Sequence, residues 1–357
     1  MNPVKTVRIL SIDGGGVRGI IPALVLQKLS KALEEKGQYK HYSQLFDLIA
    51  GTSTGGILTL GLTVPLPQAM PANPWEWTMA LLSGKQRVPK LTMQELVDIY
   101  KYQGETIFPQ EGMRNRFRGL THAFREKYSP EPLERLAAEY LGDALLSETL
   151  CPVLVTAYDA TKMRIQLFRT SRARTKPHQN FYCKDVLRAT SAAPTFFEPA
   201  KTIPLGSKSA LPGRGEEAAM VDGALFANNP SLLAYQEARR IYPFARNFKI
   251  ISLGTGRRSK PFTYDQMRKW GILEWINPMR GVPMLTMMEE AQNQSVSYTL
   301  EHTKGVEYIR FNPDLVGCST EIDDVSQKNV LCLENLTYQM LEEKSGIFDR
   351  MVEVLRK

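Results

Sequence analysis

The chain has 357 residues and a formal net charge of +8, with 43% hydrophobic, 23% charged and 9% aromatic residues. These proportions are those of an ordinary globular protein and exclude collagen-like, disordered and small disulfide-stapled classes. No run of about 18 uninterrupted apolar residues occurs, so the sequence offers no membrane-spanning helix.

Met1 to Leu10 carries Lys5 and Arg8 and has no apolar h-region, which reads as no signal peptide. Val7 to Ile12 reads as a buried strand and Asp13 to Gly19 as a glycine turn. Ile21, Leu24, Val25, Leu29 and Leu33 then recur at helical spacing, with Pro22 in the first turn and Gly37 as the stop. Leu45 to Ala50 reads as a second strand, Gly51 to Gly56 as a tight turn, and Ile57 to Leu62 as the start of a buried helix. Strand, turn and helix thus occur twice in succession, the mark of a sheet flanked by helices. Pro65 to Pro74 is proline-rich and reads as loop. Leu91 to Tyr100 and Leu133 to Leu141 read as amphipathic helices. Val153 to Tyr158, Ile165 to Arg169 and Lys249 to Leu253 read as strands. Val186 to Ser191 reads as helix, Ile203 to Glu217 as loop, and Ala219 to Asp222 as a short segment entering a turn. Beyond Gly256 the chain reads as helical and methionine-rich (Met279, Met284, Met287, Met288).

Cys151, Cys183, Cys318 and Cys332 form no CxxC pair. That pattern speaks against a zinc site or a disulfide framework and fits a reducing cytoplasm. His41, His122, His178 and His302 are scattered, so neither a metal nor another cofactor is expected. Basic residues concentrate at Lys162, Arg164, Arg169, Arg172, Arg174, Lys176 and Lys184, and again at Arg114, Arg116, Arg118, Arg125 and Lys127. Such runs are either solvated surface or the footprint of a lipid head group, a membrane surface or a nucleotide. Charge alone does not choose between them.

Gly51-Thr52-Ser53-Thr54-Gly55 matches GxSxG, the nucleophile elbow, in which small residues at ±2 let a serine sit on a strained strand-to-helix turn. The placement between LFDLIA and ILTLGL supplies the context that the pentapeptide alone lacks. Asp13-Gly14-Gly15-Gly16-Val17-Arg18-Gly19 has two functional readings. A phosphate cradle is disfavoured, because GxGxxG spacing and a following Gly-Lys-Ser/Thr are missing. In an oxyanion hole, consecutive glycines turn backbone N–H groups toward one point. A purely structural turn is the third reading. Asp222-Gly223-Ala224 offers a carboxylate as base for the serine, although an Asp-Gly pair by itself is usually only a turn.

Read in order, these motifs resemble those of the patatin-like phospholipase family. DGGGVRG is similar to its glycine-rich anion motif, GTSTG to its nucleophile elbow and DGA to its dyad aspartate. Ala189 to Phe197 (ATSAAPTFF) and Asn228-Asn229-Pro230 resemble the segments around that aspartate. The resemblance covers Val7 to Gly256; residues 257–357 match no motif. It implies a three-layer α/β/α fold with a mostly parallel central sheet, in a single compact unit with a catalytic core (1–256) and a helical C-terminal extension (257–357). It also implies Ser53 as nucleophile, Asp222 as base, and Gly14, Gly15 and Gly16 as oxyanion donors. Gly51 and Gly55 would support the elbow. Asp13 would fix the glycine turn through backbone hydrogen bonds, and Arg18 would steady the loop or meet substrate phosphate.

The implied reaction is hydrolysis of membrane phospholipid esters through an acyl-enzyme, by a cytoplasmic protein peripheral at the anionic inner membrane when active. DNA and RNA are not expected partners, and the oligomeric state, homo-oligomers included, stays open. In length the chain also resembles the cyclic-dinucleotide-activated phospholipase effectors of anti-phage systems. That likeness would make Arg172 and Arg174 effector contacts and Met279 to Met288 part of a cover over an apolar channel. The alternatives are a constitutive lipase or esterase, and an acyltransferase using the same serine elbow with a histidine base.

Overall fold

The computed structural model describes residues 5–38, 40–67, 87–109, 127–205, 218–258, 262–275 and 282–356. Ten strands run in chain order: Thr6–Ile12 (β1), Leu48–Thr52 (β2), Val153–Asp159 (β3), Arg164–Arg169 (β4), Ala200–Thr202 (β5), Ala218–Asp222 (β6), Asn247–Leu253 (β7), Arg257–Arg258 (β8), Val306–Phe311 (β9) and Asp314–Leu315 (β10). The central sheet has the order β5-β6-β3-β2-β1-β7-β9, with β4 beside β3. The run β3-β2-β1-β7-β9 is parallel throughout, whereas β4, β5 and β6 pair antiparallel. The short strands β8 and β10 pair with each other.

The helices of eight residues or more among the described residues are Ile20–Glu34 (α1), Thr54–Gly61 (α2), Met93–Tyr102 (α3), Glu131–Leu141 (α4), Cys183–Thr190 (α5), Ser231–Ile241 (α6), Pro283–Glu301 (α7), Gln327–Glu343 (α8) and Ser345–Arg356 (α9). Strand alternation sends Leu10, Ile12, Ile49, Val155, Ile251 and Leu253 into one core with α1, α3, α8 and α9. Val7, Ile9, Leu48, Ala50, Leu154 and Ile250 enter a second core with Ala234, Ala238, Val296 and Leu300 of α6 and α7. Both faces of the sheet are therefore covered, as a parallel sheet requires. The fold is α/β, with a mostly parallel central sheet flanked by helices on either face.

Local sequence explains the first unit. Pro22 sits in the opening turn of α1, where its missing N–H costs nothing. The Gln38 N–H closes on Leu33 O at 2.9 Å across Gly37, whose φ of 75° favours glycine. The expected strand from Leu45 is shorter. Tyr42–Leu45 forms a helical turn, and the Asp47 carboxylate accepts the Arg8 N–H at 2.8 Å, so β2 begins only at Leu48.

Two expectations for the C-terminal part need correction. It is not purely helical, because β9 extends the central sheet beside β7, from Phe248↔Val306 to Leu253↔Phe311. Ile309 and Phe311 fill one core, while Val306 and Tyr308 pack on the other. Cys318 and Cys332 also form a disulfide, their Cα atoms 5.6 Å apart. The chain after β10 folds back on α8 and brings together two cysteines that have no CxxC spacing. Disulfides persist in oxidising compartments, so this pairing removes the ground on which cysteine usage suggested a reducing cytoplasm. No helix among the described residues is long and apolar enough to cross a membrane.

Candidate active site

The parallel strands β1, β2 and β7 end together, and ligands bind open α/β sheets at such carboxyl edges. Ser53 sits between β2 and α2 with φ 53° and ψ −122°, a backbone conformation that a residue with a side chain rarely adopts. Such strain persists only where the surroundings fix it. Here the Ser53 N–H donates to Thr190 Oγ1 at 2.8 Å, and Thr190 Oγ1 donates to Thr156 O at 2.6 Å. The flanking glycines are sterically required. A Cβ on Gly51 would lie 2.1 Å from Gly55 O, and one on Gly55 would lie 2.2 Å from Ile12 O.

Asp222 ends β6, which pairs antiparallel with β3 through Ala157↔Asp222. Its buried carboxylate accepts the Ala224 N–H at 2.8 Å and stands close enough to the Ser53 side chain to interact with it. Burial pushes its pKa up to about 7; Ser53 and the Ala224 N–H oppose that rise, and the nearby Glu289 adds to it. A side chain at Gly223 would strike Thr156 Oγ1 at 2.1 Å, which explains the glycine after the aspartate.

The glycine loop follows β1 and passes against the serine: a Cβ on Gly14 would lie 3.2 Å from Ser53 Cβ. The three glycines are not equivalent. The Gly14 N–H donates to Asn228 O at 3.1 Å, whereas the Gly15 and Gly16 N–H groups have no acceptor among the described residues. Of the three expected oxyanion donors, Gly14 is thus already engaged. Arg18 is buried, and its Nε donates to Gly15 O at 3.2 Å, so it holds the loop from within.

The expectation for Asp13 is corrected. Its carboxylate pairs with a side chain, Arg310 of β9, whose Nη2 donates to Oδ2 at 2.6 Å and whose Nη1 donates to Oδ1 at 3.4 Å. Burial raises the Asp13 pKa and Arg310 opposes it. A backbone-only role would leave a fully buried carboxylate unneutralised.

Beside Ser53 lies a cavity of about 60 Å³, walled by Ile57, Ile99, Ile107, Phe108, Leu133 and Phe197 and also touched by Gly16. No methionine among the described residues lines it. Met284 and Met288 are exposed on α7, and Met279 lies outside the described residues.

Arg172 and Arg174 follow β4, whose end pairs Arg169 with Leu154 near the start of β3. They therefore sit at the opposite edge of the sheet from Ser53. Arg174 is engaged with backbone, donating to Ser147 O at 2.9 Å and Thr149 O at 2.7 Å. Arg164, Arg169 and Lys184 pair with Asp159, Glu237 and Asp143. The second basic run lies outside the described residues apart from Lys127. Among the described residues no cluster of three or more His, Cys, Asp or Glu could hold a metal.

Sequence reasoning missed Arg310, Thr255, Tyr100, Glu289 and Gln292. Thr255 Oγ1 donates to Gly14 O at 2.5 Å, and Thr54 Oγ1 donates to Tyr100 Oη at 2.8 Å. Asn228 belongs to the Asn-Asn-Pro stretch, but nothing local signals its bond to the glycine loop.

Fold and site together define a three-layer α/β protein with a serine on a strand-to-helix elbow beside a buried aspartate. The family model "Patatin-like phospholipase" matches residues 10–235. The chain is 30% identical to Patatin-like protein 2 of Arabidopsis thaliana over 94% of this chain and 83% of that protein. It is 31% identical to Patatin-like protein 2 of Oryza sativa subsp. japonica, over 97% and 86%. Patatin-2-Kuras 3 of Solanum tuberosum is 28% identical over 95% and 84%. The solved structure of VipD from Legionella pneumophila aligns over 96% of this chain and 67% of that one, with TM-score 0.35 and 14% identity, too remote to support more. The chain belongs to the patatin-like phospholipase family, a family of lipid acyl hydrolases.

Proposed function

We propose that this protein hydrolyses phospholipid esters with Ser53 as nucleophile and Asp222 as its base. The observation that carries the reading is a serine on a strained elbow beside a buried carboxylate whose pKa is raised to about 7. An ordinary carboxylate near 4 is a poor base at neutral pH, whereas one near 7 is matched to the task. Ser53 Oγ attacks the ester carbonyl carbon while its proton passes to Asp222. The oxyanion takes hydrogen bonds from the Gly15 and Gly16 amides, each such donor being worth about 3 kcal/mol. Collapse expels the alcohol, which takes the proton from Asp222. Water then repeats the sequence on the acyl-enzyme and releases the fatty acid. The apolar cavity beside Ser53 suits the acyl chain.

The acyltransferase alternative requires a histidine base. His41, His178 and His302 are exposed and lie outside this constellation, and His302 Nδ1 is bonded to Tyr298 O at 2.7 Å. Water as acceptor is the favoured reading. The test is mass spectrometry of products from a mixed phospholipid extract. Wild type should release free fatty acid, and folded Ser53→Ala should release at least a thousandfold less; comparable release from both would refute the assignment.

Peripheral binding to anionic membranes rests on the basic runs and is read by vesicle sedimentation. Binding should fall steeply with salt, as screened charge predicts. Activation by a cyclic dinucleotide rests on chain length and the core motifs. A nucleotide panel in the lipase assay tests it, and equal activity with and without nucleotides leaves a constitutive lipase.

A further inference from the structure

Helix α7 lies beyond the residues that the family model matches, yet it reaches the glycine loop through one intermediate. Glu289 and Gln292 are spaced i, i+3 and so share a helix face. Glu289 Oε1 accepts a hydrogen bond from Asn228 Nδ2 at 2.8 Å, and Gln292 Oε1 accepts the Asn228 backbone N–H at 2.6 Å. Asn228 O in turn accepts the Gly14 N–H, and its Oδ1 leaves no room for a Cβ on Gly14. We propose that Glu289 and Gln292 are positioning residues: they clamp Asn228, and Asn228 sets the height of the glycine loop over Ser53.

Two hydrogen bonds fix both the backbone and the side chain of Asn228, so its carbonyl has one available direction. That direction commits the Gly14 amide and leaves those of Gly15 and Gly16 without an acceptor among the described residues. Glu289 has a second reach. It is close enough to Arg18, which holds Gly15 O, for their charges to interact, and close enough to Asp222 to disfavour a second negative charge there. Around Glu289 the charged groups are Arg18, Asp13 and Glu290; around Asp222 the charged group is Glu289. Burial raises the pKa of Glu289 itself, so what it shares with Gln292 is the geometric hold on Asn228.

This inference rests on the dyad reading, and the experiment separates their failures. Kinetics of a soluble ester are measured across pH for wild type, Ser53→Ala, Gln292→Ala, Glu289→Ala and Glu289→Gln. Gln292→Ala should lower kcat tenfold or more with KM little changed and the acid limb of the pH profile in place. Glu289→Ala should lower kcat at least as much. Glu289→Gln keeps an acceptor for Asn228 and should recover most of that loss. A helix contact that only stabilises the fold would give neither a kcat loss at unchanged KM nor its rescue by the conservative variant. Residual activity in Ser53→Ala would sink the dyad reading. A dead Ser53→Ala beside a Glu289→Ala within twofold of wild type would overturn the clamp. Should Glu289→Ala fail to fold, a Gln292→Ala within twofold of wild type overturns it instead.

Discussion

Arg310 Nη2 donates to Asp13 Oδ2 at 2.6 Å across 297 residues of sequence, tying β9 in the last third of the chain to the residue before the glycine loop. Both side chains are mostly buried, and Arg310 also donates to Ser252 Oγ at 2.7 Å. Removing one partner of a buried pair strands a charge, at a cost of about 3–5 kcal/mol. Arg310→Leu should therefore lose stability of that order at pH 8 in urea unfolding. The loss should shrink at pH 5, because an unpaired, buried Asp13 is protonated there more readily. An equal loss at both pH values would show that the charge of Asp13 is not what Arg310 offsets.

Asp222 makes the opposite kind of statement. Its folded pKa of about 7 lies above the ordinary 3.8, so the folded state holds the proton more tightly than the unfolded chain. Stability from this group is full below about pH 4 and is lost as pH rises through 7. Activity runs the other way, since the base works deprotonated: kcat/KM should climb with pH and level off above about 8. Asp222→Asn removes the titration. It should be inactive yet gain stability over wild type at pH 8, on the order of 2–4 kcal/mol, because each tenfold difference in proton affinity is worth about 1.4 kcal/mol. Differential scanning calorimetry at pH 5 and 8 reads this directly, and a stability difference that is flat with pH would contradict a raised Asp222.

The site is legible in the sequence where its chemistry is local. The elbow around Ser53, the loop after Ile12 and the turn after Asp222 each sit within a few residues of a strand end, where glycine has a steric reason. What escapes is long-range. β9 reads VEYIRF and carries three polar or charged residues, so only its pairing with β7 marks it as a buried sheet strand. Arg310, Glu289 and Gln292 lie on regular elements at positions with no motif, and their partners, Asp13 and Asn228, are far away in sequence. β5 has three residues, too few to show an alternation. The helical turn before β2 reads as strand because Leu45 and Phe46 are apolar whichever element carries them.

The disulfide between Cys318 and Cys332 closes a loop with a sequence separation of 14. A loop of about 15 residues is stabilised by roughly 3 kcal/mol in the chain-entropy account. Cys332→Ser should lower unfolding stability by about that amount, and dithiothreitol should do the same to wild type while leaving the variant unaffected. Cys151 and Cys183 are buried and unpaired, and burial pushes their thiols far up, so they add little to the reagent's effect. A wild type whose urea midpoint ignores the reductant would rule out the pairing in solution.

The final prediction concerns the length of chain that the site accepts. Ile57 is half-buried on the first turns of α2, four residues after Ser53, and lines the apolar cavity with Phe108 and Phe197. An acyl chain lying there gains about 0.8 kcal/mol for each buried methylene, close to fourfold in kcat/KM. Phenylalanine at position 57 takes up space that two or three methylenes would fill, and a half-buried position tolerates the added volume better than a fully packed one. Ile57→Phe should therefore leave turnover of short-chain esters within a few fold while cutting that of long-chain esters at least tenfold. The readout is kcat/KM along a series of p-nitrophenyl esters of increasing chain length, with circular dichroism as the check on folding. If the whole series fell by one common factor, the acyl chain would run elsewhere and the substitution would only have disturbed the elbow.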